Sequence, residues 1–246
     1  MPVEHVALLQ IQRDLHDIPR GMERFEAYLK AIVNDERDDV RYAPMVAMNP
    51  MGREHVAQRL DELLAMDAEI MAEQAIEEAQ TRSGTIEGTI KHALVILDDI
   101  GGGWTNRTTV DAAGRFGLEL PLKRPWLSTG WWVSEAPTPQ RVRQAVLMTM
   151  RRVVYVAQHG SAVTLHEKLV QEGTVSAFSG LQPTLDAEEL DYTRHVIAPY
   201  RASTDYSIHI AALYGDQAAR ALGYEPLGLS ANAGFELALA DETNPL

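Results

Sequence analysis

The run from Ile90 to Leu97, Ile-Lys-His-Ala-Leu-Val-Ile-Leu, constrains this chain more than any other stretch. From Ala93 onward every side chain is apolar, so both alternating faces of a strand built here are apolar. Such a strand belongs inside a sheet covered on both sides, as parallel sheets flanked by helices are. Residues 126–134 form a second candidate strand around Trp131, Trp132 and Val133, with Gly130 as a bulge or kink position. Residues 118–122 offer a short third. Helix patterns fill the remainder, so the expected fold is a mostly helical α+β or α/β protein. Its small sheet lies in the middle third, with strands near 90–98 and 126–134 covered by helices. No long polar linker divides the 246 residues, so residues 1–246 read as a single domain. It comprises a helical part at 1–82, a sheet-containing part at 83–134 and a second helical part at 137–241.

Periodicity and punctuation place the helices. Met22, Phe25, Leu29, Ile32 and Val33 share one helical face, and residues 52–81 read as one long helix. Glu69, Glu73 and Glu77 recur at four-residue spacing on that helix. Carboxylates so spaced bind metals in helical bundles only with Glu-x-x-His partners, which this sequence lacks, so a solvated acidic face is expected and no metal site. Asp67 interrupts the apolar side of the same helix. Thr138 before Pro139 marks one later helix start, and Thr164 with Glu167 forms a capping-box pattern. Asp186, Asp216 and Ser230 mark three more, whereas residues 206–213 suit either a strand or a helix.

Composition excludes several classes of function. With no cysteine, the chain cannot hold disulfides, thiolate zinc sites, iron–sulfur clusters or a cysteine nucleophile. Nothing resembles a secretory leader or an apolar run of about 18 residues, so a soluble cytoplasmic protein without a membrane partner is expected. The net charge of −13 argues against nucleic acid as a partner. Only residues 83–160 have a cationic balance, with 9 basic and 6 acidic groups. Arg141, Arg143, Arg151 and Arg152 contribute to it and read as the solvated face of one helix.

The candidate site follows the buried strand: Asp98-Asp-Ile-Gly-Gly-Gly-Trp-Thr-Asn-Arg107. Ligands of open α/β sheets bind at the carboxyl ends of strands, where loops diverge. Asp98 and Asp99 are therefore candidate catalytic carboxylates. Gly101, Gly102, Gly103, Trp104, Asn106 and Arg107 are candidate ligand-binding residues, the glycines offering main-chain N–H groups. Residues 108–111, Thr-Thr-Val-Asp, repeat the capping-box pattern and place a helix start near Thr109. Neither the Walker loop nor the dinucleotide fingerprint matches, because Thr-Asn-Arg follows where Gly-Lys-Ser/Thr or a third spaced glycine is needed. No cofactor is implied. Asp98, Asp99 and Asp111 also make a poor cradle for a bare phosphate.

All four tryptophans, Trp104, Trp126, Trp131 and Trp132, fall between residues 104 and 132. Trp131 and Trp132 point to opposite faces of their strand, so one needs cover from a helix, a ligand or a second subunit, and the pair is a candidate interface. The eight histidines form no close ligand pair in sequence. Two readings of different class follow. One is an enzyme acting on a small polar or anionic molecule at the glycine segment. The other is a noncatalytic binding or assembly protein that uses the tryptophan-rich surface to form a homo-oligomer.

Overall fold

The computed structural model describes residues 3–83, 89–100, 106–120, 122 and 124–244. The described residues are mostly helical and include one three-stranded parallel sheet of order β1-β2-β3. Residues divide into two compact units: Met1–Arg107 with Pro121–Met150, and Thr108–Leu120 with Arg151–Leu246.

The first unit holds the sheet. Strand β1 (Val3–His5) pairs with β2 (Ile90–Leu97), which pairs in turn with β3 (Trp126–Trp132). The central strand is buried at every position except Lys91, as its two-sided apolar pattern requires. Residues 118–120 and 122 are not strand, and the third strand is instead the three-residue β1. Because β1 ends where His5 faces His92, the outer edge of β2 loses its strand partner beyond that point. Helix α1 (Leu9–Leu15) supplies a substitute. The fully buried Gln12 donates Nε2–H to the Leu94 carbonyl at 2.9 Å and accepts from Ile96 N–H at 2.9 Å. One side-chain amide thus satisfies two backbone groups that a longer strand would have paired.

Helix α2 (Met22–Ile32) buries Arg24, Tyr28 and Ile32, whereas Met22 is 66% exposed and Leu29 is 42% exposed. The buried face is therefore rotated from the apolar one. Arg24 wins its place through bonds to the Ile18 and Gly52 carbonyls at 2.7 and 3.0 Å. The long helix expected at 52–81 is two, α3 (Glu54–Ala65) and α4 (Ala68–Ser83). Asp67 separates them with φ +56°, a left-handed conformation that aspartate tolerates better than most residues. Helix α6 (Pro139–His159) starts at Thr138, whose hydroxyl accepts from Arg141 N–H at 3.2 Å.

The second unit contains α7 (Leu165–Ser179), α8 (Ala187–Ile197), α9 (Tyr206–Tyr214), α10 (Asp216–Ala221) and α11 (Ala233–Thr243). It also takes all but the first residue of α5 (Arg107–Phe116). The ambiguous stretch at 206–213 is thus helical. Thr164 and Glu167 form the expected capping box, and Asp186 caps α8. Asp111 does not cap α5, which begins at Arg107. Its carboxylate instead accepts from Arg115 Nε at 2.6 Å and from the Tyr214 hydroxyl at 2.8 Å. Helix α11 packs closely on α7 and α9 because glycines remove two side chains. A Cβ on Gly173 would lie 2.5 Å from the Ala238 carbonyl oxygen, and one on Gly234 would lie 2.4 Å from that of Ala212.

Candidate functional site

Asp98 occupies the carboxyl end of the central strand and is only 5% exposed. Its carboxylate accepts from Asn49 Nδ2 at 2.9 Å, from His55 Nε2 at 3.0 Å and from Ile100 N–H at 3.2 Å. Asn49 lies between Met48 and Pro50, just before α3, and His55 in the first turn of α3, so the start of this helix and the residues before it meet the strand end. Donation of Nε2–H to Asp98 leaves His55 Nδ1 bare, and no described residue hydrogen-bonds that nitrogen. A buried carboxylate that fixes the tautomer of a partly exposed imidazole is the usual support for a histidine that accepts and returns a proton.

His16 completes the neighbourhood. Arg24 Nη1 donates to His16 Nδ1 at 3.3 Å, so neutral His16 carries its proton on Nε2. That nitrogen is buried and has no hydrogen-bond partner. Burial and the charge of Arg24 lower the His16 pKa to about 4, while the Asp98 carboxylate opposes the shift. His16 is thus a neutral N–H donor at neutral pH, within electrostatic reach of Asp98 and His55.

Asp99 points elsewhere. It accepts from Ser134 N–H at 3.0 Å, from the Ser134 hydroxyl at 2.6 Å and from Arg107 at 3.1 Å. Arg107 also pairs with Glu135 and lies 5.3 Å from the centre of the Trp132 ring. Asp98 and Asp99 are thus held by separate partners, as side chains on opposite faces of an extended strand end are. Asn106 is exposed. Gly101, Gly102, Gly103 and Trp104 lie outside the described residues. Trp131 and Trp132 are 3% and 6% exposed, so the chain itself covers both. Trp131 donates to the Glu135 carbonyl at 3.0 Å, and Arg141 lies 5.8 Å from its ring centre.

Sequence reasoning missed His16, Asn49 and His55. Their shared signal was weak: polar residues inside or beside apolar segments, with no fixed spacing to Asp98. A second group also escaped it. The strand register sets His5 beside His92, with their Nδ1 atoms 3.0 Å apart. His5 Nε2 donates to Glu69 at 2.7 Å, His92 Nε2 meets the Thr129 hydroxyl at 2.8 Å, and that hydroxyl donates to Thr149 at 2.8 Å. Glu69 also accepts from Leu9 N–H at 2.8 Å, so it is not part of a solvated acidic face. Burial and neighbouring His5 lower the His92 pKa to about 3, so this ring is neutral.

The basic stretch of α6 is likewise not a uniform solvated face. Arg143 pairs with Glu78, but Arg152 is buried and holds Glu172 through two bonds of 2.8 Å. Arg115 adds a third bond to Glu172 at 2.5 Å. Burial pushes the Glu172 pKa up, but Arg152 and Arg115 outweigh it and bring the value to about 2.

Among the described residues, no group of three or more His, Asp or Glu side chains is arranged to hold a metal ion, and no helix is long and apolar enough to cross a membrane. The first unit is a small parallel α/β layer with a buried aspartate, Asp98, paired to a partly exposed histidine, His55, at its carboxyl edge. No protein-family model, curated protein or solved structure matches the chain.

Proposed function

We propose that the chain is an enzyme that moves a proton on a small polar molecule at the carboxyl edge of its sheet. His55 is the acid/base group, Asp98 fixes its tautomer and stabilises its charged form, and Asn49 holds the Asp98 carboxylate in place. The observation that carries this reading is the 3.0 Å contact between buried Asp98 and His55 Nε2, with Nδ1 left bare. Arg107 is not assigned to an anionic group, because its donors already meet Asp99, Ser134 and Glu135.

The test is a screen of the purified chain against small carbonyl, ester and hydroxy-acid compounds, repeated with His55→Gln and Asp98→Asn. General acid–base catalysis is worth about 10²- to 10⁴-fold, so His55→Gln should lose that much of any turnover found. Nitrogen-detected NMR of the neutral His55 ring should show its proton on Nε2 and Nδ1 bare. Turnover that survives both substitutions, or the opposite tautomer, would sink the proposal.

A further inference from the structure

The second unit contains a cavity of about 270 Å³ between α5, α7 and α9. Its walls are largely apolar, with Ala112 and Phe116 from α5 facing Ile210 and Leu213 from α9. Into this lining projects a cation, Lys168 of α7, whose residue is only 8% exposed. The ammonium group donates to the Ala162 carbonyl at 2.9 Å and lies 4.2 Å from the centre of the Phe116 ring. No described carboxylate pairs with it.

The nearby carboxylates are held by other groups. Glu172 is held by Arg152 and Arg115, and Asp111 by Arg115 and Tyr214. Glu167 accepts from Val163 and Thr164 N–H, and Asp205 from Ser207. An ammonium has three N–H donors, and one conventional hydrogen bond with one ring face leaves it incompletely compensated for burial. Burial accordingly lowers the Lys168 pKa, against the opposing pull of Glu167 and Glu172. Beside it, His209 Nε2 donates to the Ser203 carbonyl at 2.8 Å, which leaves its Nδ1 as an acceptor in the same lining.

We infer that this cavity binds a compact apolar monocarboxylate, with the carboxylate on Lys168 and the hydrocarbon body against Phe116, Ile210 and Leu213. The volume lies near the lower end of small-molecule pockets, roughly 300 Å³, and suits a single ring or a short chain. One cation calls for one negative charge, and the apolar walls would leave a second charge unpaired. This site is independent of the Asp98–His55 pair, and its test does not depend on turnover.

The experiment is calorimetric titration of the full chain with benzoate, hexanoate and benzyl alcohol, the last a neutral analogue of benzoate. Benzoate or hexanoate should bind saturably, and benzoate at least about tenfold more tightly than benzyl alcohol. Lys168→Met should weaken carboxylate binding by about tenfold or more and leave benzyl alcohol unchanged, whereas Lys168→Arg should retain carboxylate binding. Should Lys168→Met fail to fold by circular dichroism, Ala113→Trp serves instead. Ala113 is an exposed lining residue, and a bulky ring there should block benzoate without disturbing the core. The inference is overturned if neither carboxylate saturates by about 10 mM, or if folded Lys168→Met or Ala113→Trp binds benzoate like the parent chain.

Discussion

Single residues in this protein matter most where a polar group is buried with a limited set of partners. His92 and His16 have pKa values of about 3 and about 4 in the folded chain, below the ordinary histidine value of 6.5. The unfolded chain therefore takes up these protons first as pH falls. Their contribution to stability is fully present above about pH 6.5 and is lost as pH drops toward the folded values. Fully buried His92 should impose a slope of up to about 1.4 kcal/mol per pH unit, and half-buried His16 a smaller one. Glu172 behaves in the same direction but in a lower window, since its contribution fades only below the ordinary glutamate range, as pH falls toward about 2. Urea unfolding between pH 7 and about 5.5 thus isolates the histidines. His92→Gln should flatten the curve there, and an unchanged slope would contradict the burial assigned to His92. Neither histidine could be singled out from the sequence. His92 becomes special only beside His5, 87 residues away, through a register that the sequence does not specify.

At the scale of elements, the central strand was legible because eight residues with few polar interruptions leave little alternative to two-sided burial. Strand β1 was not, since Val-Glu-His has neither alternation nor length and becomes a strand only by pairing. The buried face of α2 escaped hydrophobic patterning because Arg24 is drawn inward by carbonyl groups, leaving Met22 outside. The helix break at Asp67 appeared in the sequence only as a polar residue in an apolar stripe. The candidate site was half legible: Asp98 follows from its place after the strand, whereas His55 and Asn49 depend on how α3 and the preceding loop pack. The packing of α11 on α7 depends on Gly173, which has no room for a methyl group against the Ala238 backbone. Gly173→Ala should cost roughly 1–3 kcal/mol, the usual range for overpacking, despite alanine's better helix propensity. A lowered urea midpoint with an unchanged slope would show this, and an unchanged midpoint would mean that the helices can separate freely.

For the molecule as a whole, chain order and compact units do not coincide. Residues 108–120 belong with residues 151–246, although residues 121–150 intervene. The second core includes Ala112 with Leu165, Ile197 and Leu237, and Phe116 packs against it. Arg115 also supplies one of the two guanidinium partners of the buried Glu172 carboxylate. A fragment of residues 151–246 should therefore lack cooperative unfolding and give a poorly dispersed NMR spectrum. Adding a peptide spanning residues 107–120 should partly restore both, and a well-folded fragment without the peptide would contradict the division. The same interleaving sets a schedule during synthesis. Domains generally fold as units while the chain emerges at about 5–20 residues per second. Helix α5 leaves the ribosome with Ala112 and Phe116 unmatched, and its partners on α7 begin only at Leu165. For several seconds of translation this helix is an apolar surface awaiting its core, and a natural place for a chaperone to bind the nascent chain.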